Sequence, residues 1–333
     1  MTIDKAPPQR RNFKVRIASS TTVLRKTFPF AVLLVFAGAL ALAQEISPPA
    51  TTSSAQSGTP PATNNEEQSK QPTSGPQEIM RRAVQKDIFN WEEAKDYTYL
   101  ERAQEDALDG NGQVKSSKSE TNEILVLYGE PFERLVAKDD KPLSEKEKKK
   151  QDEEFEKETR KRANETPEER QKRLQKYEKE REDGRAFVRE ILDAYTFTLT
   201  GTEVLNGRIT WVIDGTPRPG FEGKHRESKI LPKIKPRFWI DQQDYSWTKL
   251  RAEFTDTVSF GWVVARLHKG SQFEVQQVRV NDEVWLPQRI DIKLDARIAL
   301  LKGINENVHV TYKDYRKFRT DTKISVADTG AVK

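Results

Sequence analysis

The sequence predicts an α+β fold, a single curved antiparallel β-sheet with helices laid over its apolar face. Three observations lead there. From Tyr195 onward the chain is almost entirely short strand-type runs separated by local turns, which implies a meander rather than a parallel sheet with crossover helices. The runs are one-faced: Leu250, Ala252 and Phe254 alternate with Lys249, Arg251 and Glu253, and Ile290, Ile292 and Leu294 with Arg289, Asp291 and Lys293. Helical patterns are confined to two stretches, 77–94 and 145–194, and so are the natural cover for the apolar face.

The elements follow in order. Arg10, Arg11, Lys14, Arg16, Arg25 and Lys26 precede an uncharged apolar run from Phe28 to Ala43, which ends Ala41-Leu42-Ala43-Gln44. A basic leader, an apolar core of about sixteen residues and a small-x-small exit are the parts of a secretory signal, the core being short of the roughly twenty residues of a membrane span. The alternative is an uncleaved N-terminal anchor over 1–43, and in either case the rest of the chain is expected in the periplasm or otherwise exported. Arg10-Arg11-Asn12-Phe13-Lys14 resembles a twin-arginine export motif, although the apolar run starts far downstream of it; a start at Val23 would leave an ordinary leader. No cysteine follows, which excludes a lipidated one. Cleavage is expected near Gln44. Residues 44–76 are rich in Ser, Thr, Pro and Gln and bury too little to offset ordering entropy, so they read as a disordered linker. One domain is expected over 77–325, with a flexible tail over 326–333.

Ile79, Met80, Ala83, Val84, Ile88 and Trp91 recur at helical spacing behind Pro76, which predicts an amphipathic helix over 77–94. Strand-type segments around 97–101 and 124–128 flank Asp109-Gly110-Asn111-Gly112 as a hairpin, and a third short strand runs from Phe132 to Val136. From Glu145 to Asp183 there are 14 acidic and 14 basic residues, a mixture that usually marks a solvated helix laced with i,i+4 pairs. Capping-box patterns at Ser144…Glu147 and Thr166-Pro167-Glu168-Glu169 divide this insertion, about 144–194, into helices over 145–163 and 167–194. Its one apolar stripe is Phe187, Val188, Ile191, Leu192 and Tyr195. That end should pack on the core, with the rest projecting or lying over a rim. Asn206-Gly207 then marks a two-residue hairpin, and further strands are expected at about 236–241, 245–254, 257–268, 272–281, 283–294 and 307–317. The face of Ile209, Trp211 and Ile213 should point inward.

Composition excludes several classes of function. The 333 residues include no cysteine, so there are no disulfides, thiolate metal sites or cysteine nucleophiles. Three scattered histidines, His225, His268 and His309, do not make a metal site. The net charge of +5 resides largely in the leader, which removes the electrostatic case for nucleic acid. About 250 residues remain for the domain, enough for one substantial core. No nucleophile elbow, zinc helix, phosphate loop or dinucleotide turn occurs. Asp241 and Asp244 read as turn residues, and Asp109, Asn111, Gln113 and Glu120 fail as a calcium loop because Val114 stands where Gly is required. The protein is therefore not expected to be an enzyme, and no cofactor is implied.

Trp211, Phe238, Trp239, Phe254, Phe260 and Trp262 crowd the central strands, either as core or as the lining of an apolar site. The hairpin Arg237-Phe238-Trp239-Ile240-Asp241 / Tyr245-Ser246-Trp247-Thr248-Lys249-Leu250, with 207–214 before it and Glu283-Val284-Trp285-Leu286-Pro287 after, resembles the periplasmic lipoprotein-carrier superfamily, the LolA/LolB-like proteins, which include outer-membrane lipoprotein-sorting proteins. The likeness covers roughly Tyr195 to Phe318 and consists of strands and aromatic positions. It implies an open half-barrel with a helical lid over a concave apolar face that takes acyl chains or lipoproteins. The tether and the insertion 144–184 depart from the carrier pattern. On this reading the cleft is lined by Leu199, Ile209, Trp211, Ile213, Phe238, Ile240, Leu250, Phe254, Phe260 and Trp262, under a lid of Phe187, Ile191 and Tyr195. The expected partners are lipid or lipoprotein acyl chains, with membrane contact only through an uncleaved leader. The alternative is a protein-interaction or envelope-stress sensor module on the same fold, bound to an envelope protein.

Overall fold

A computed structural model describes residues 75–225, 227–260, 265–298 and 302–318. The expected signal, the cleavage site, all but the last residues of the linker, the tail and Trp262 lie outside the described residues.

Among the described residues three α-helices, α1 (Pro76–Ala94), α2 (Glu145–Ala163) and α3 (Pro167–Ala194), accompany a sheet of 13 strands. The first group of strands is β1 (Tyr97–Leu108), β2 (Val114–Leu127), β3 (Glu130–Lys138) and β4 (Lys141–Pro142). After α3 come β5 (Tyr195–Leu205), β6 (Arg208–Pro217), a 3-10 helix (Glu227–Lys233), β7 (Ile234–Asp241) and β8 (Trp247–Phe254). The chain ends with β9 (Val258–Phe260), β10 (Ala265–Leu267), β11 (Gln272–Val280), β12 (Val284–Ile298) and β13 (Lys302–Lys317). The spatial order is β4-β3-β2-β1-β13-β12-β11-β8-β7-β6-β5, with β10 joined to β12 and β9 to β10. Every pairing is antiparallel, and β4 and β5 end the sheet without closing it into a barrel. The expected strand 257–268 is thus a small hairpin, β9–β10, rather than one strand.

The turns are where the residue types demand them. Asn206 and Gly207 both have positive φ, 50° and 76°, as a two-residue hairpin compatible with strand twist requires. Asn281-Asp282 and Asp139-Asp140 repeat the arrangement. Asp109 closes the β1–β2 turn by accepting from the amides of Asn111 (2.8 Å) and Gln113 (2.9 Å), which is hairpin chemistry and not a cation loop. Both capping boxes are formed, with Ser144 and Thr166 accepting from the amides of Glu147 and Glu169.

The charged helices do not project freely. Phe155 of α2 stacks on Phe132 of β3 at 5.4 Å, and the Leu135 amide of β3 donates to Gln151 (3.3 Å). β4 pairs with only two residues of β3, and beyond them α2 occupies the edge. Arg162 and Arg173 flank Glu130 at 3.6 and 3.2 Å, and donate to the carbonyls of Leu127 and Tyr128. The helical pair is therefore pinned over the β2–β3 turn, at the rim of the sheet.

Candidate functional site

The register of the sheet assembles its concave face. Leu199, Ile213, Phe238, Leu250, Val275, Ile290, Val310 and Ala103 each lie directly opposite the next, an apolar row from β5 across to β1. Residues paired in this way share a face, so one register shift would have sent the whole row to solvent. A parallel row, Trp211–Ile240–Trp247, lies nearer the β5–β6 turn. The aromatic rings interlock: Tyr195–Phe197 at 6.3 Å, Phe197–Phe238 at 6.1 Å and Phe238–Trp247 at 5.2 Å.

Two helices close over these rows. The Phe187, Val188, Ile191 and Ala194 face of α3 is buried, as its stripe predicts. So is the Ile79, Met80, Ala83 and Val84 face of α1, the first three of which are fully enclosed. Both helical stretches were expected to cover the face, but the lid residues named from the sequence were only Phe187, Ile191 and Tyr195. The signal for α1 was present in the same helical spacing, but a spacing does not say which surface a helix covers. The two helices cross where Trp91 lies on Gly184, and a Cβ at position 184 would overlap the indole ring.

Of the residues expected in the cleft, Ile213, Phe238, Ile240, Leu250 and Phe254 are buried on this face, and Leu199 packs partly buried at its edge. Trp211 is buried against Tyr245 at a ring distance of 5.3 Å. Ile209 corrects the expectation. It shares the face of Trp211 and Ile213, yet it is 55% exposed, because it sits one turn from the hairpin tip, beyond the reach of both helices. Phe260 is in β9, but its side chain is outside the described residues. Trp239 faces the other way: its Nε1 donates to Glu203 (2.8 Å), and Lys249 lies 4.9 Å over its ring. On that outer face Lys249 and Arg251 both pair with Glu274 at 2.8 and 2.6 Å, and Arg237 pairs with Asp214.

The expected lid residues Phe187, Ile191 and Tyr195 meet Phe238, Leu250 and Phe273 around a residual gap of about 30 Å³. That space suits a water or two, whereas pockets for drug-sized ligands run to about 300–1,000 Å³. Here the end of α3 is packed onto the sheet. Tyr195 is held by a bond from its hydroxyl to the Leu231 carbonyl (2.7 Å), and burial raises its pKa. A larger recess of about 620 Å³ runs along α3 between Glu165 and Glu178 and shares no residue with the apolar rows.

One polar group under the cover escaped the sequence reading. Asp87, on the inner side of α1, is buried beside Gln277, where β11 bulges. Burial pushes its pKa up to about 7, against a hydrogen bond from Gln277 that acts the other way. The Gln277 Oε1 is buried without a partner, an acceptor suited to a protonated carboxyl. A lone Asp within a helical pattern looks solvent-facing until its neighbours are known.

The turn carboxylates are structural. Asp241 takes a two-pronged ion pair from Arg208 (2.6 and 2.7 Å) and accepts from the amides of Gln243 and Asp244. Asp244 accepts from Trp285 Nε1 (2.9 Å). Each histidine has a carboxylate neighbour, Glu190 for His225, Asp295 for His268, and Asp291 with Asp106 for His309. Among the described residues no group of three His, Asp or Glu side chains is placed to hold a metal ion.

No family model matches the sequence, and no curated protein matches it. Among solved structures the chain is similar to a LolA superfamily protein from Nitrosomonas europaea, at 11% identity and a TM-score of 0.27, covering 74% of this chain and 94% of that one. It is also similar to a domain from Vibrio parahaemolyticus described as an outer membrane lipoprotein-sorting protein, at 11% identity and a TM-score of 0.30, covering 74% and 95%. A chain of the Pseudomonas aeruginosa MucA/MucB complex matches at 10% identity and a TM-score of 0.22, covering 73% and 99%.

Proposed function

We propose that this is a non-enzymatic exported protein that binds a lipid, or the acyl part of a lipoprotein, between its sheet and its two covering helices. The observation that carries the reading is the apolar row from Leu199 to Ala103, continuous across the sheet and covered, among the described residues, by α1, the end of α3 and the 3-10 helix. A sheet whose concave face is closed by helices, and not by a second sheet, exposes a long apolar trough when those helices move. The filled state with its gap of about 30 Å³ is then the closed form, and uptake requires the helices to lift. Native mass spectrometry of protein purified from an exporting host should detect an acyl lipid, and Ile191→Asp should speed its exchange with added fatty acid. Protein that is ligand-free and takes up no fatty acid, even with that substitution, would refute the reading.

The same small gap favours a second reading, a protein-interaction module in which the core is permanently closed and a partner binds outside. Pull-down from the envelope with and without residues 144–184 separates the two. Partner capture should depend on that segment, and lipid uptake should not.

A further inference from the structure

Large apolar side chains that remain exposed among the described residues are Phe89 (47%), Val114 (57%), Tyr128 (37%), Val204 (67%) and Ile209 (55%). Three of these five belong to one rim. Val204 and Ile209 are directly opposite each other at the β5–β6 tip, on the face of Trp211. Trp211 touches Tyr245, and Arg82 of α1 lies 5.0 Å over the Tyr245 ring and donates to its hydroxyl (3.2 Å). Along α1 the outer stripe continues at helical spacing from Arg82 to Lys86 and Phe89, with the Lys86 ammonium 4.3 Å over the Phe89 ring.

Cations outnumber carboxylates on the α1 side of this rim. Glu78 accepts from both Arg81 and Arg82, and Lys86 adds a third cation on the same helix, while the exposed Asp282 lies near Arg208 and 3.9 Å from Arg279. The nearby carboxylates are engaged elsewhere: Asp241 by Arg208, Asp244 by Trp285, and Glu203 by Trp239 on the opposite face. Exposed apolar side chains interleaved with cations are the make-up of a surface that lies in a lipid headgroup layer, with the apolar groups reaching the acyl boundary and the cations at the phosphates.

We propose that this rim, formed by the β5–β6 tip, Tyr245 and the outer stripe of α1, docks on an anionic bilayer, a contact separate from any made by the leader. It goes beyond the acyl-binding reading and does not depend on it, because none of the exposed rim side chains lies in the closed cleft. The test uses the full chain with phosphatidylcholine vesicles, with and without phosphatidylglycerol, and reads partition by sedimentation and exposure by hydrogen exchange. Exchange at residues 203–209 should slow several-fold only with phosphatidylglycerol. Ile209→Asp combined with Lys86→Glu should weaken partition by about ten-fold and abolish the slowing, while the melting temperature stays near that of the parent. Vesicle binding with unchanged exchange at 203–209 would assign the contact to the leader and overturn the proposal. Equal slowing on neutral vesicles would overturn it too, as would slowing that rises with protein concentration in the absence of vesicles, the mark of a second copy. A cleft found empty by mass spectrometry leaves these readouts unaffected, so the two ideas fail separately.

Discussion

Two residues on the same strand face, Trp211 and Ile209, show how completely cover decides what a side chain contributes. Both alternate inward, but Trp211 packs on Tyr245 while Ile209 lies beyond the helices. Trp211→Ala should cost roughly 3–5 kcal/mol of unfolding free energy, and Ile209→Ala about 0.5 kcal/mol or less, both read by denaturant titration. Equal losses would mean that Ile209 is covered in solution. Asp87 makes a second residue-level prediction. Its folded pKa, about 7, lies above its ordinary value of 3.8, so the folded chain holds a proton that the unfolded chain releases. Stability from this group is therefore full below about pH 4, falls as pH rises towards 7, and is lost above it, by roughly 4 kcal/mol at most. Asp87→Asn, which keeps the shape and can bond Gln277, should be more stable than the parent at pH 8 and should lose that advantage towards pH 4. An identical pH profile for both proteins would show that Asp87 is solvated.

At the scale of elements, the helix boundaries were legible because their signals are local. Pro76, Ser144 and Thr166-Pro167 each put a cap or a fixed φ at the first turn, and the helices begin there. What was not legible depends on partners far away in sequence. The extent of β1 and β2, twelve and fourteen residues, exceeds their apolar patterns because polar residues such as Gln104 and Lys118 are carried by the ladder. The α1–α3 crossing is another such case, since Gly184 within a charged helix reads as a weakness until Trp91 is found against it. Gly184→Ala should destabilise by more than 1 kcal/mol although alanine favours helix by about that amount, and Trp91→Ala in the same chain should remove most of the penalty. Additive losses in that double-mutant cycle would place the two residues apart. Hydrogen exchange should be slow across 79–84 and 186–194, where the two helices bury their apolar faces, and fast over 145–154. Uniform protection of α2 would instead mean a partner or second copy upon it.

For the whole molecule, the curved sheet and its helical cover followed from one-faced strands and few helices, but the strand order did not. Local turns join neighbours, which correctly pairs β1 with β2, β5 with β6 and β7 with β8. No local pattern announces that β1 lies beside β13, a match that includes Ala103 with Val310 and Thr98 with Arg316. That seam governs how the chain is completed. The first four strands and the strands from β5 to β12 are two sheets with open inner edges until the last strand, 302–317, bonds to both β12 and β1. Closing contacts of such sequence separation is slow, and unpaired edges invite other chains. Neither half of the sheet can therefore be sealed before residues 302–317 are in place. A chain ending before Lys302 should aggregate or be degraded, not fold with one strand fewer.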